Sequence, residues 1–91
     1  MASAIADILR DMQSNPAGIS FANAVRVAEH FFGQPRNSGS HHVFKTRWPG
    51  NPRVNLQKTE GNKAKAYQIR QLLQAIEKLE GLQPRKGPES A

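Results

Sequence analysis

The apolar residues of this chain change their period twice, and that narrows the fold more than any other feature. Ile5, Ile8, Leu9 and Met12 recur at the spacing of one helical face, as do Phe21, Ala24, Val25, Ala28, Phe31 and Phe32. From Gln34 to Gln57 the pattern shortens towards alternation. It is cut there by Pro35, Gly39 and the run Pro49-Gly50-Asn51-Pro52, a strong turn signal. Helical spacing returns in Ala66, Ile69, Leu72, Leu73, Ile76 and Leu79. Helices on either side of short strands joined by tight turns predict an α+β domain with a three-stranded antiparallel sheet covered by two helices. A chain of 91 residues has room for one such domain, with a thin core.

The punctuation sets the expected boundaries. A first helix is predicted over 3–14, with Ser3 at its cap and Asp7 in its early turns. Asn15-Pro16 ends it, because proline disfavours helical geometry in the residue before it. This helix is an addition to the minimal plan, and its stripe serves either the domain's own core or a second copy in a homo-oligomer. Ser20 caps a second helix that runs to about Phe32, with Gly33 as a left-handed terminator and His30 as a surface residue near the end. The strands fall at 34–38, at 39–48 and at 53–57, the first at an edge because Pro35 cannot donate to a ladder. A polar loop over 58–63 leads to the last helix, 64–79, with Gly81 as its cap. The organisation is thus an added helix at 1–15, a domain at 16–81 and a disordered tail at 82–91, where two prolines and a glycine occur among few apolar groups.

Several classes drop out. The absence of cysteine removes disulfide frameworks and thiolate zinc sites. No stretch approaches the ~20 apolar residues needed to cross a bilayer. Residues 1–10 include Asp7 and lack a long apolar run, so they do not read as a signal peptide. A soluble, cytoplasmic protein is expected, with no membrane contact.

The charge is unevenly placed. Residues 33–75 hold eight cations (Arg36, Lys45, Arg47, Arg53, Lys58, Lys63, Lys65 and Arg70) against Glu60 alone, a net +7, while the rest of the chain has five cations against six carboxylates. Such a concentrated basic field is the footprint of a nucleic-acid binder, or more blandly a solubilising surface. Lys63, Lys65 and Arg70 lie in or near the first turns of the last helix, where the dipole disfavours cations, which suggests that they meet an anion.

Gly39-Ser40-His41-His42-Val43-Phe44-Lys45 lies inside this field. Histidine is the side chain whose ordinary proton equilibrium falls near neutrality. Successive strand residues point to opposite faces, so His41 groups with Val43 and Lys45, and His42 with Phe44 and Thr46. Each face then carries one apolar residue, and alternation alone leaves both histidines in contention. Two adjacent histidines without a third ligand match no common zinc spacing, so neither metal nor cofactor is expected. Three readings remain: a structural histidine, a basic module that binds RNA or an acidic protein partner, and acid/base cleavage of an RNA phosphodiester. In the last, Lys45 and Arg47, at the parity of His41, are candidates to hold the scissile phosphate. Arg53, Lys58, Lys63, Lys65 and Arg70 would contact the wider backbone, and Lys45 or Tyr67 could be a second proton-transfer group.

The Gly39-Ser40-His41-His42-Val43-Phe44-Lys45 block, preceded by a helix and followed by a basic strand and a closing helix with Gln68-Ile69-Arg70-Gln71-Leu72-Leu73, resembles the HicA toxin family. The resemblance covers about residues 20–79. It implies a small ribonuclease (an mRNA interferase) of a type II toxin-antitoxin system, held inactive by a HicB-type antitoxin. It also implies a fold like the double-stranded-RNA-binding domain (dsRBD), α-β-β-β-α, here with its added N-terminal helix. Under it His41 matches the family's catalytic histidine, with Gly39, Ser40 and His42 as the surrounding motif. Where the family often carries a proline-histidine step at the end of its third strand, this chain has Leu56-Gln57-Lys58.

Overall fold

A computed structural model describes residues 4–82. Three helices and three strands follow in the order α1 (Ile5–Ser14), α2 (Phe21–Phe32), β1 (Arg36–Ser38), β2 (His41–Phe44), β3 (Val54–Gln57) and α3 (Ala66–Leu82). The strands form an antiparallel sheet in the order β1-β2-β3, so the expected α+β class and sheet are observed. The proposed cap residue Ser3 and the tail from Gln83 onward lie outside the described residues.

Local chemistry accounts for the helix ends. Ser20 Oγ accepts a hydrogen bond from the Asn23 N–H at 3.1 Å, satisfying one of the orphan donors of α2. At the other end Gly33 takes φ 86° and ψ −163°, a region that in practice only glycine occupies, and its N–H closes on the Glu29 carbonyl at 2.9 Å. α1 stops at Asn15, and Pro16–Gly18 form a single 3-10 turn that delivers Ile19 into the core.

One cluster of buried residues joins every layer. Ile8 and Met12 of α1, Ala24, Val27 and Ala28 of α2, and Ile69, Leu72, Ala75, Ile76 and Leu79 of α3 meet Phe44, Val54 and Leu56 of the sheet. α2 and α3 cover one sheet face, and α1 lies against both helices. Ile8 and Met12 of α1 are thus buried inside this chain, while Ile5 and Leu9 are partly exposed.

Three expectations need correction. β2 ends at Phe44 rather than continuing to Trp48, because residues 45–53 turn away and fold around the Trp48 ring. α3 begins at Ala66, after Ala64 pairs with Lys58 in an isolated bridge, and it runs through Gly81 instead of stopping there. Val27, outside the expected stripe of α2, is wholly buried, because it joins the core cluster that includes Ile8 and Met12 of α1.

One buried polar group has a definite task. Gln68, 3% exposed in α3, accepts the Gln57 backbone N–H through its Oε1 at 2.9 Å. β3 is an outer strand, and this bond occupies a donor that would otherwise lack a partner beneath α3. Gln68→Leu should therefore destabilise the fold by about 1–3 kcal/mol. Gln74→Leu, at an exposed site on the same helix, should change stability by less than about 0.5 kcal/mol, and urea denaturation measures both.

Candidate active site on the open sheet face

The β1–β2 hairpin turns on Gly39 and Ser40, with Ser38 paired to His41 across the turn. Gly39 takes φ +61° while Ser40 keeps a negative φ, the pattern of a type II′ turn, whose twist suits a two-residue hairpin. This geometry fixes the register and makes His41 the first residue of β2.

Pairing then decides which histidine faces which way. His42 stands opposite Leu56 and Phe44 opposite Val54, and Leu56, Phe44 and Val54 are all buried beneath the helices. His42 therefore belongs to the helix side. Its ring meets Phe21 edge-on with centroids 4.9 Å apart, and its Nδ1 is buried without a hydrogen-bond partner. His41 pairs with Gln57, and Val43 pairs with Asn55 and Arg36, on the face that carries no helix among the described residues. The alternation that sequence left open is resolved by what lies opposite.

His41 is half-buried, with its Nδ1 3.3 Å from Asn55 Oδ1. The two residues are diagonal neighbours, since Asn55 stands opposite Val43, two residues farther along β2. Gln57 Nε2 donates towards Ser40 Oγ at 3.5 Å, at the long limit of a hydrogen bond. Ser40, His41, Asn55 and Gln57 thus form a small polar cluster at one end of the open face. His41 and His42 point to opposite sides and cannot share a ligand. Among the described residues no three His, Cys, Asp or Glu side chains converge.

The cations fall into two groups. Arg36, Lys45 and Arg53 stand at the far end of the sheet, where Lys45 and Val43 line both shallow grooves that cross the open face. Lys45 lies four residues from His41, about 13 Å at the rise of an extended strand. Lys58 follows Gln57 at the near end, bridged to Ala64, and Lys63 bridges to Ser20 just before it. Lys65 lies with its Nζ 6.0 Å from the ring centroid of Tyr67, and Arg70 is exposed one turn farther along α3. None of Arg36, Lys45, Arg47, Arg53 or Lys58 has a carboxylate within ion-pairing distance among the described side chains.

Two expected roles change. Arg47 does not share a strand with His41: it sits in the 45–53 loop, beyond the end of β2, so strand parity says nothing about its direction. Tyr67 is 55% exposed on α3, and no hydrogen bond ties it to His41. Three site residues were missed. Arg36, Asn55 and Gln57 all belong to the open face, and the outward parity of Asn55 and Gln57 was implicit in the Val54/Leu56 alternation. The diagonal His41–Asn55 contact was not, since it depends on the register between two strands.

Comparison with protein-family models, with curated proteins and with solved structures gives no match.

The loop that presents Lys45, Arg47 and Arg53 is ordered by one indole. Trp48, 8% exposed, donates its Nε1–H to the Pro52 carbonyl at 2.9 Å, while Thr46 Oγ1 donates to the Trp48 carbonyl at 3.0 Å. Its ring meets Phe32 edge-on and carries the Lys78 ammonium 5.1 Å from its centroid. Trp48→Phe keeps an aromatic ring but removes the donor. It should cost about 1 kcal/mol of stability and speed amide hydrogen exchange within 45–53.

Proposed function

We propose that this protein is a HicA-type toxin, an endoribonuclease (mRNA interferase) of a type II toxin-antitoxin system that works in the cytoplasm without a metal. The observation that carries the reading is His41, on an open sheet face beside Arg36, Lys45, Arg53 and Lys58, which have no carboxylate within ion-pairing distance among the described side chains. The order α2-β1-β2-β3-α3, with both helices on one sheet face, is the arrangement the dsRBD-like reading calls for.

The chemistry follows from the groups present. Phosphates of an RNA strand lie along Arg36, Lys45 and Arg53 on one side of His41 and along Lys58 on the other, and a strand that wraps past the outer edge of β3 reaches Lys63, Lys65 and Arg70. The neutral imidazole takes the proton of a ribose 2′-hydroxyl. The 2′-oxygen attacks the adjacent phosphorus in line and the bond to the 5′-oxygen breaks, leaving a 2′,3′-cyclic phosphate and a 5′-hydroxyl end. The departing oxygen lies on the far side of phosphorus from the attacking one, out of reach of the same ring, and takes its proton from water. Nearby cations stabilise the charge that develops on the phosphoryl oxygens. At about 13 Å, Lys45 serves a neighbouring phosphate rather than the one being cleaved. Without a fixed general acid the enzyme is slow, which suffices for an inhibitor acting on many messages. The partner is a HicB-type antitoxin whose acidic surface covers the basic face and His41.

Purified protein should cleave messenger RNA in the presence of EDTA, and His41→Ala should abolish cleavage while RNA affinity stays within about threefold. Equal cleavage by both proteins would remove His41 from the reaction. RNA bound but never cut would mark a binding module, and no RNA binding at any salt would mark a domain for an acidic protein.

The cations make a separate prediction. Each phosphate contact on single-stranded RNA contributes about 0.7 to the slope of log affinity against log salt. Replacing both Lys45 and Arg53 with Ala should therefore flatten that slope by about 1.4. Fluorescence anisotropy with a labelled RNA across a salt series reads it directly.

A further inference from the structure

We propose that Asn55 is a positioning residue that holds His41 in the tautomer protonated at Nδ1, so that Nε2 is the atom that takes the substrate's proton. The functional consequence rests on the ribonuclease reading above; the structural content does not.

An amide oxygen only accepts, so a hydrogen bond between His41 Nδ1 and Asn55 Oδ1 requires the ring proton on Nδ1. A neutral imidazole has one such proton, and its remaining lone pair is then at Nε2. Free histidine side chains in water favour the opposite tautomer, so the protein imposes this one.

The backbone beneath Asn55 makes the contact reproducible. Its neighbours in β3, Val54 and Leu56, are 1% and 0% exposed, so the pleat is pinned on both sides and Asn55 is directed to the open face. Pairing with Val43 sets its height along β2. Beside His41, Gln57 Nε2 reaches towards Ser40 Oγ across the end of the sheet. The hydrogen bond on the ring comes from β3.

The choice of an amide suits the substrate. A carboxylate at this position would orient the ring equally well and would also stabilise the imidazolium. It would, however, place a negative charge beside an approaching phosphate. The charged groups on or beside this face are Arg36 from β1, Lys45 after β2, and Arg53 and Lys58 flanking β3, with no carboxylate among the described side chains. An uncharged acceptor orients His41 without interrupting that cationic surface. The same logic orients the imidazole in hydrolases that use a Cys-His-Asn set.

The test uses the full chain and two readouts. Long-range proton–nitrogen NMR correlations of the imidazoles, recorded without RNA at a pH where the rings are neutral, report the tautomer. The native protein should show His41 protonated at Nδ1. Asn55→Ala should shift it towards Nε2–H, and Asn55→Asp, which keeps an acceptor oxygen, should retain Nδ1–H. In RNA cleavage, Asn55→Ala should lower kcat by about 10- to 100-fold with KM nearly unchanged. Asn55→Asp should retain more of kcat, raise KM, and move the acid limb of the pH profile to higher pH, because the added carboxylate favours the imidazolium.

A native His41 protonated at Nε2, or a tautomer indifferent to Asn55→Ala, overturns the proposal. The native measurement needs no variant to fold. Should the native protein fail to cleave RNA while the tautomer responds as stated, the ribonuclease reading fails and the positioning contact stands. Should it cleave while the tautomer ignores residue 55, the reverse holds.

Discussion

Phe44, Val54 and Leu56 are almost completely removed from water under α2 and α3, and what the other face of the sheet presents depends on them. Strand side chains alternate, so burying these three sends His41, Val43, Asn55 and Gln57 outward together. A register slip of one residue would reverse the set, exposing Leu56 and burying polar groups without partners. The slip is opposed twice at the His41 end of the sheet. The II′ turn at Gly39 and Ser40 admits a single pairing of β1 with β2, and on the outer side of β3 the Gln57 N–H is held by Gln68. Packing on one side of the sheet thus dictates the chemistry on the other.

The division of labour between faces also explains the charge. The helix side consists of apolar residues, one satisfied glutamine and the His42 ring, whereas the open side has His41, cations and neutral amides. Cations gathered on a small surface repel one another, and a carboxylate among them would relieve that repulsion. Arg36, Lys45 and Arg53 have no such carboxylate among the described side chains, although α1 accommodates an Asp7–Arg10 pair at 3.3 Å. Electrostatic self-repulsion is therefore retained where a polyanion would relieve it.

Much of this architecture was legible from the chain, because the signals involved are local. Helix periodicity found all three helices, Ser20 and Gly33 marked the ends of α2, and the Pro49-Gly50-Asn51-Pro52 run separated β2 from β3. What was not legible depends on contacts between distant segments. Trp48 looked like a strand residue because aromatic residues favour strands, yet the indole is worth more in the core with its N–H on Pro52. Gly81 looked like a terminator, yet α3 continues through it. His41 and His42 could not be told apart until Leu56 was seen opposite one and Gln57 opposite the other. Asn55 carried no motif; its contact with His41 exists only once the strands are paired.

A small sheet with one bare face ought to be prone to templating further strands along its borders, which is how such proteins self-associate into fibrous aggregates. Here the two borders are blunted by different means. β3 runs alongside α3, where Gln68 occupies a main-chain donor and the chain returns to pair Lys58 with Ala64. β1 is only three residues long, begins just after Pro35 and carries exposed Arg36 as its first residue, so it offers few free main-chain groups and a charge that deters a second copy. The protein can therefore leave the flat of its sheet open without leaving its rims open to itself.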